Sequence, residues 1–477
     1  MSQRRAAARP VSLPLAVVIA ASTVAALVFG LALVSQHHAF YSNAFDLGFF
    51  DQIVWNTSQG RWFENSFVRY NFLGQHIEPV LLAFALVYTV MPAVEVLLIT
   101  QAVAAAAAAI PLYLLAQRWL QQPAAAALVA LAYLASVSLH RAVTFDFHPE
   151  VMGPLLVFSA AALVSAGRLR AGLLVFGLLF LLKEEAAIAG AGFAWLLWML
   201  GHRRHGLAVL ATSVVYFVGT AALMSAFRGG VPGDLQDRYG YLGADLSSLA
   251  LGVLTKPGAV IQQLGAPGVV DGLISMLSQS AGLALVSPLA LGALPLTLAH
   301  LLSLHPEQGR LALHYGILPF ALFTLAGVDG LRRVAGLPFL RRWPAERVKV
   351  GIATMLLLAA VAGSVSGGPL GVNFEPRRYQ DSEHARAVRS VLAKAPPGIP
   401  VSAQAGLVPH LSQRQAIFEF PGINEARVVV IDRTGWKSTY SQAAGYDTVL
   451  ASLPARGFRL MFAANGAELY CLEGRCE

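Results

Sequence analysis

Charged residues are scarce in this chain of 477 residues. Asp, Glu, Lys and Arg make up 13% of it, 56% of the residues are hydrophobic, and the mean hydropathy is +0.60. A typical soluble protein carries about 25% charged residues. The shortage of charge therefore excludes an ordinary soluble domain and indicates a polytopic membrane protein.

Cysteine is rarer still, because only Cys471 and Cys476 occur, both in the polar C-terminal tail. Their surroundings offer too few partners for a zinc site. If the tail is extracytoplasmic, the two thiols could close a small disulfide loop, which we favour over free cysteines. Phosphate-loop spacing is also absent from the tail, since Gly406, Gly422 and Gly435 lack the following lysine, so no catalysis is assigned to it.

The basic residues exceed the acidic ones and give a formal net charge of +8. Such a charge could suggest nucleic-acid binding. The Lys and Arg clusters, however, lie mostly in short loops between apolar stretches, where the positive-inside rule explains them at least as well. Binding of nucleic acid is therefore not expected.

Long apolar stretches dominate what is present, and a membrane crossing needs about 20 apolar residues. The stretch 12–34 follows Arg4, Arg5 and Arg9 and lacks a cleavage motif, which predicts a retained anchor with a cytoplasmic N-terminus. Further spans are predicted at 93–117, 123–139, 150–167, 171–182, 186–200, 206–227, 271–284, 285–303, 311–328 and 348–366, whereas 77–91 is short enough for a re-entrant or interfacial helix. We expect an all-α domain of the plasma membrane, residues 1–366, with about 11 to 13 transmembrane helices.

The basic flanks of these spans place the loops 35–76 and 228–270 on the outer side, together with the tail. After residue 366 the composition becomes that of a soluble protein. Prolines precede an apolar stretch at 401–403, and a second apolar run follows at 428–431, which predicts two strands. Residues 367–477 are therefore expected to form a small extracytoplasmic α/β domain.

Two aspartates lie in the first outer loop, within the segment 45–55. If this segment is helical, Phe45, Phe49 and Ile53 share one face, as in a helix at the membrane surface. Asp46 and Asp51 then point about 140° apart, which argues against a paired carboxylate dyad. Asp46 is either a first-turn carboxylate favoured by the helix dipole or a general base beside the bilayer.

Histidines and carboxylates directly precede two apolar stretches. His76 and Glu78 come before Pro79, and Asp146, His148 and Glu150 surround Pro149. Part of this pattern is typical of helix starts. The histidines could also bind phosphate or shuttle a proton. Asp146 and His148 could ligate a divalent metal, although their spacing is diagnostic of no particular ion.

Two further polar clusters interrupt apolar sequence. Lys183 and Glu184 stand between short apolar stretches and form either a tight turn or the wall of a polar cavity, because an unpaired charge in mid-membrane costs about 3 kcal/mol. Arg310 and His314 belong to the last outer cluster, which is either a solvated loop or a binding site for an anionic phosphate, to which arginine is well suited.

The order of these features resembles the GT-C class of membrane glycosyltransferases, which transfer sugars from polyprenyl-phosphate carriers. The segments FDLGFFDQ, GQHIEP, DFHPE, LLKEE and VSAQAGLVPHLSQR are similar to motifs of a family of bacterial and archaeal predicted membrane proteins. This similarity extends from about residue 40 to about residue 435. It implies a GT-C-like fold.

The GT-C resemblance implies that Asp46 occupies the catalytic position of the first outer loop. The paired acidic motif of protein mannosyltransferases is not matched, because Leu47 follows Asp46. His76 and Pro79 stand where related transferases carry a Lys-Pro pair near the carrier phosphate.

The leading hypothesis is therefore an inverting glycosyltransferase that uses a polyprenyl-phosphate sugar at the outer leaflet, with Asp46 as base. The acceptor would be a glycan, a lipid or a protein of the cell envelope. Phosphate or substrate contacts are assigned to the remaining candidates, namely Asp51, His76, Glu78, Asp146, His148, Glu150, Lys183, Glu184, Arg310 and His314. The alternatives are a transporter or lipid flippase with ionisable groups along its path, and an assembly factor without catalysis.

Overall fold

The computed structural model describes residues 12–474, so Cys476 and the first arginines lie outside the described residues. Its N-terminal part is helical. In chain order the helices are α1 (Leu13–His38), α2 (Phe49–Ser58), α3 (Leu81–Tyr88), α4 (Glu95–Ala107), α5 (Ala109–Leu120), α6 (Pro123–Leu134), α7 (Val137–Val143), α8 (Gly153–Ser165), α9 (Leu169–Gly177), α10 (Ala186–Met199), α11 (Arg203–Arg228), α12 (Leu235–Tyr239), α13 (Leu246–Thr255), α14 (Pro257–Leu264), α15 (Pro267–Ser278), α16 (Ala290–Leu301), α17 (Pro306–Gly309), α18 (Ile317–Ala335) and α19 (Ala345–Gly367).

Several of these helices can cross a membrane. Within residues 12–474, five continuous helical stretches are long and apolar enough, and two bent helix pairs raise the number to seven if each pair is one span. Five shorter apolar helices accompany them. The expected 11 to 13 spans are reached only if short helices also cross. The helices α1, α11 and α19 expose most of their apolar side chains, as lipid-facing helices do.

The region predicted as one loop and one span is organised differently. Residues 228–270 contain α12, α13 and α14, and the span predicted at 271–284 is instead the end of α15, which stops at Ser278. Ala281 and Gly282 then adopt positive φ angles of 48° and 73°. This left-handed backbone cannot continue a right-handed helix, so the predicted span is broken.

A small α/β domain follows the last long helix. It contains α20 (Glu383–Leu392), β1 (Val401–Ala403), β2 (Ile417–Glu419), β3 (Val428–Asp432), α21 (Thr439–Ala443), α22 (Tyr446–Ser452), β4 (Phe458–Ala464) and β5 (Ala467–Leu472). The strand order is β2-β1-β3-β5-β4, with β1 parallel to both its neighbours and the last two strands antiparallel. The two predicted strands are confirmed as β1 and β3.

Both faces of the sheet are buried at its centre, in β1 and β3, whereas the edge strand β4 is mostly exposed. Val428 and Val430 pack with Val388 of α20 on one face, whereas Val429 and Ile431 pack with Tyr446 on the other. This division follows from the alternation of side chains along β3. The apolar run that predicted the strand is therefore buried throughout, with one set of residues in each of two cores.

The C-terminal domain packs directly on the segment that carries Asp46. Phe40 and Ala44 belong to the same buried cluster as Val388 and Val401. A Cβ atom at Gly48 would lie 2.9 Å from Val408 Cγ1, closer than real side chains approach. Glycine at this position allows the loop after β1 to lie against the turn that holds Asp46.

Candidate active site

Asp46 lies in a single π-helical turn, Ala44–Gly48, that leads into α2. Such wide turns are frequent at functional sites. The turn places the Asp46 side chain, which is 22% exposed, in the wall of a cavity of about 790 Å³. The expected helix is thus present only from Phe49 onward, and Asp46 precedes it.

His148 is the direct partner of Asp46. Its Nε2 lies 3.3 Å from Asp46 Oδ1, and its ring stacks on that of His314 with the centroids 3.6 Å apart. The Nδ1 atoms of both histidines are buried and have no hydrogen-bond partner within residues 12–474. The two histidines, which come from distant parts of the chain, therefore form one wall of the cavity beside the carboxylate.

Asp146 holds the Asp46 segment in place from behind. Its Oδ2 accepts hydrogen bonds from the backbone N and the side-chain Nδ2 of Asn43, at 2.8 and 2.9 Å. Burial and the nearby Asp46 carboxylate raise the pKa of Asp146 to about 7. Asp146 is absent from the cavity lining and acts on its neighbour rather than on a ligand.

The Lys183 and Glu184 pair lies at the cavity wall, but both side chains are already engaged. Lys183 Nζ donates to Glu150 Oε1 at 2.7 Å, and His314 Nε2 lies 3.7 Å from the same oxygen. Glu184 accepts a hydrogen bond from His76 Nδ1 at 2.9 Å. The predicted phosphate-binding cations Lys183 and His76 are therefore paired with carboxylates.

Glu78 and Glu150 lie behind this wall. Glu78 is fully buried, and neither of its carboxylate oxygens has a hydrogen-bond partner in the described part of the chain. Neither residue lines the cavity. Direct substrate contact by these two glutamates, as predicted from the sequence, is thus not what the geometry provides.

Asp51 and Arg310 lie elsewhere and need correction. Asp51 accepts hydrogen bonds from Tyr88 Oη, Ser412 Oγ and Gln413 Nε2, at 2.8, 2.6 and 3.2 Å, and it is completely buried between the two domains. Arg310 is exposed, and its side chain lies against Gly268 in α15. Neither residue reaches the cavity, so neither can bind a ligand there.

Two arginines that sequence reasoning missed do line the cavity. Arg228 ends α11, and Arg238 lies in α12, where it donates to Gln308 Oε1 at 2.7 Å and packs over the Tyr315 ring at 5.9 Å. Both belong to the loop that the basic flanks placed outside, where the positive-inside rule expects few arginines. The presence of arginines in a loop placed on the outer side was the sequence signal that could have identified them.

The cavity also has an apolar part. Phe217, Ala221, Met224 and Arg228 all line it and recur at steps of three or four residues, which is one face of α11. This face is apolar along most of its length and ends in a guanidinium. An elongated molecule with an apolar chain and an anionic head would match it.

The metal and disulfide predictions have separate outcomes. Within residues 12–474, no group of three or more His, Cys, Asp or Glu side chains is arranged to hold a metal ion. Asp146 Oδ2 accepts from Asn43 and His148 Nε2 lies beside Asp46, and the divalent metal stays a prediction. The disulfide stays a prediction, because Cys476 lies outside the described residues.

The fold is that of a polytopic membrane protein with a GT-C-like architecture. Residues 36–454 match the family described as "Predicted membrane protein (DUF2079)", and the chain belongs to that family. No curated protein matches the chain significantly.

The fold resembles that of one solved structure by shape, at low sequence identity. The apo structure of ArnT from Cupriavidus metallidurans has a TM-score of 0.51 at 13% identity, over 96% of this chain and 98% of that one. The same protein bound to undecaprenyl phosphate has a TM-score of 0.48 at 14% identity, with the same coverage. The archaeal oligosaccharyltransferase AglB from Archaeoglobus fulgidus, in complex with an inhibitory peptide and a dolichol-phosphate, has a TM-score of 0.46 at 12% identity, over 96% of this chain and 74% of that one.

Proposed function

We propose that the protein is a membrane glycosyltransferase that moves a sugar from a polyprenyl-phosphate carrier to an extracytoplasmic acceptor. One observation carries the proposal. A single cavity combines a partly exposed carboxylate, two arginines and an apolar helix face. The carboxylate can act as the base, the arginines can bind a lipid phosphate, and the apolar face can hold a prenyl chain.

Asp46 is the general base in this proposal. His148 contacts its Oδ1, which leaves Oδ2 to accept the proton of an acceptor hydroxyl. The acceptor oxygen forms a bond to the anomeric carbon as the bond from that carbon to the phosphate oxygen breaks. The proton passes to Asp46 and the polyprenyl phosphate leaves, with inversion at carbon. A base positioned in this way contributes typically 10²- to 10⁴-fold to the rate, as an order of magnitude.

Arg228 and Arg238 hold the carrier phosphate. A leaving phosphate gains negative charge in the transition state, and guanidinium groups stabilise it through forked hydrogen bonds. Lys183 and His76 are less suited to direct contact because carboxylates hold them at 2.7 and 2.9 Å. The carboxylate partner of Arg238, Asp234, is more distant at 3.4 Å and is 44% exposed. Lys183 and His76 instead hold the cavity wall in place through their ion pairs with Glu150 and Glu184.

The face of α11 from Phe217 to Met224 holds the first isoprene units of the carrier. Since α11 exposes most of its surface, a lipid can enter from the bilayer. The arginines lie at one end of this apolar face, which favours transfer at one membrane surface over a translocation path. We place this surface on the outer side of the membrane. The N-terminus is then cytoplasmic, and the domain 367–477 covers the site from the outer side.

Mass spectrometry of polyprenyl-linked sugars and envelope glycans tests the proposal. Cells that lack the intact chain should accumulate one sugar-linked lipid and lose one glycan residue. The intact chain should restore both, whereas the Asp46→Asn chain, expressed at the same level, should restore neither. Unchanged lipid and glycan profiles after removal of the chain would refute transferase function.

A further inference from the structure

A second cavity adjoins the Asp46 cavity. It measures about 620 Å³ and lies between residues 64–69 and the C-terminal domain residues 398–400, 415–418 and 424–425, and we call it the side groove. Val68 lines both cavities. Phe67 lines the side groove and contacts the rings of Phe45 and Phe49, which line the Asp46 cavity. These side chains lie between the two spaces.

The edge of the sheet at the side groove is already covered. The strand β2 lies at the edge, and the Ser66 hydroxyl donates to the carbonyl of Ile417 at 2.6 Å and accepts from its N–H at 2.8 Å. Gln52 Nε2 donates to the carbonyls of Arg414 and Gln415 just before the strand. An extended peptide binds a sheet by pairing with such edge groups. Here the N–H and the carbonyl of Ile417 are occupied by Ser66, which disfavours the addition of a peptide strand.

The lining of the side groove suits a hydroxyl-rich ligand. Exposed amides, carboxylates and one guanidinium line it, namely Gln415, Asn424, Glu64, Glu425 and Arg69. The Asn65 amide also lines the groove but is bonded to the backbone of its own loop. Amides and carboxylates accept hydrogen bonds from sugar hydroxyls, and a few polar groups beside apolar ones are typical of small-ligand sites.

We propose that the side groove binds the acceptor, and that the acceptor is a glycan. Its hydroxyl would reach Asp46 past Val68, while the carrier occupies the face of α11. This inference rests on the proposed transferase function, because it assigns the second substrate of the same site.

Photo-crosslinking in the membranes of living cells tests this assignment. The full chain carries p-benzoylphenylalanine in place of Asn424, which is exposed in the side groove. The matched control carries it in place of Asp447, whose side chain is 86% exposed on the same domain but outside the groove. Each position is placed in the native chain and in the Asp46→Asn chain, and adducts are fragmented to detect sugar ions.

We expect sugar-containing adducts at position 424 in both chains and their absence at position 447. Adducts that contain only peptide, equal labelling at both positions, or no adduct at position 424 would overturn the proposal. If the chain altered at 424 does not accumulate, the same comparison at Gln415 decides. The transferase proposal is judged separately, since an active Asp46→Asn chain with glycan adducts would refute the base and leave the groove standing.

Discussion

Asp46 and Asp51 belong to one short segment, but their surroundings differ. Asp46 is partly exposed at a cavity wall and contacts one histidine, whereas Asp51 is completely buried and receives three hydrogen bonds. A carboxylate whose acceptor capacity is used by the protein holds structure together. One that keeps an oxygen facing a cavity is available for chemistry. The contrast predicts that substitution of Asp46 lowers turnover, whereas substitution of Asp51 lowers stability.

The largest effect is expected from Asp46→Asn. Loss of the base should lower turnover by roughly 10²- to 10⁴-fold, because asparagine cannot take the acceptor proton. Transfer by the purified protein measures the rate, and thermal unfolding should stay unchanged. The control is Asp51→Asn, which should retain turnover in the folded fraction. Equal turnover in Asp46→Asn and Asp51→Asn would contradict separate roles for the two aspartates.

Asp51→Ala should mainly affect stability. Removal of the carboxylate leaves the donors of Tyr88, Ser412 and Gln413 unpaired in a buried interface, at a cost on the order of 3 kcal/mol. Denaturant unfolding in detergent measures the loss. Asp46→Ala is the matched control and should change the free energy of unfolding far less, because its side chain is partly exposed. Similar losses for both would show that exposure does not separate their roles.

Arg228→Gln should weaken donor binding by roughly tenfold, equivalent to about 1.4 kcal/mol, because one charged contact to the phosphate is lost. The dissociation constant for the polyprenyl-phosphate sugar measures this change. The control is Arg310→Gln, which removes an equal charge outside the cavity and should leave affinity unchanged. The opposite result would restore the role that the sequence assigned to Arg310.

The sequence was informative where a property depends on neighbouring residues. Span length and motif order identified the membrane domain, and the valine run predicted β3. The convergence of Asp46, His148 and His314 was only partly predictable, because it requires three distant segments to meet.

Asp51 was misjudged for the same reason. Its partner Ser412 comes from the far end of the chain, and nothing in the local pattern indicates that contact. Arg228 was missed because its place in the cavity depends on how far α11 extends.

The smallest expected effect is the pH dependence of stability that buried Asp51 contributes. Burial, partly offset by hydrogen bonds from Ser412, Tyr88 and Gln413, raises the pKa of Asp51 from 3.8 to about 6. The folded state therefore favours the protonated form more than the unfolded state does. This contribution is complete below pH 3.8 and is lost as the pH rises through about 6.

Unfolding of the native chain and of Asp51→Asn, measured between these two pH values, isolates the contribution. Buried His410, whose pKa burial lowers to about 3, acts in the opposite direction in both chains and cancels in the difference. The native chain should lose stability relative to Asp51→Asn as the pH rises, because only the native chain releases the Asp51 proton. A difference of the opposite sign would mean that Asp51 is ionised in the folded protein and that its three donors outweigh burial.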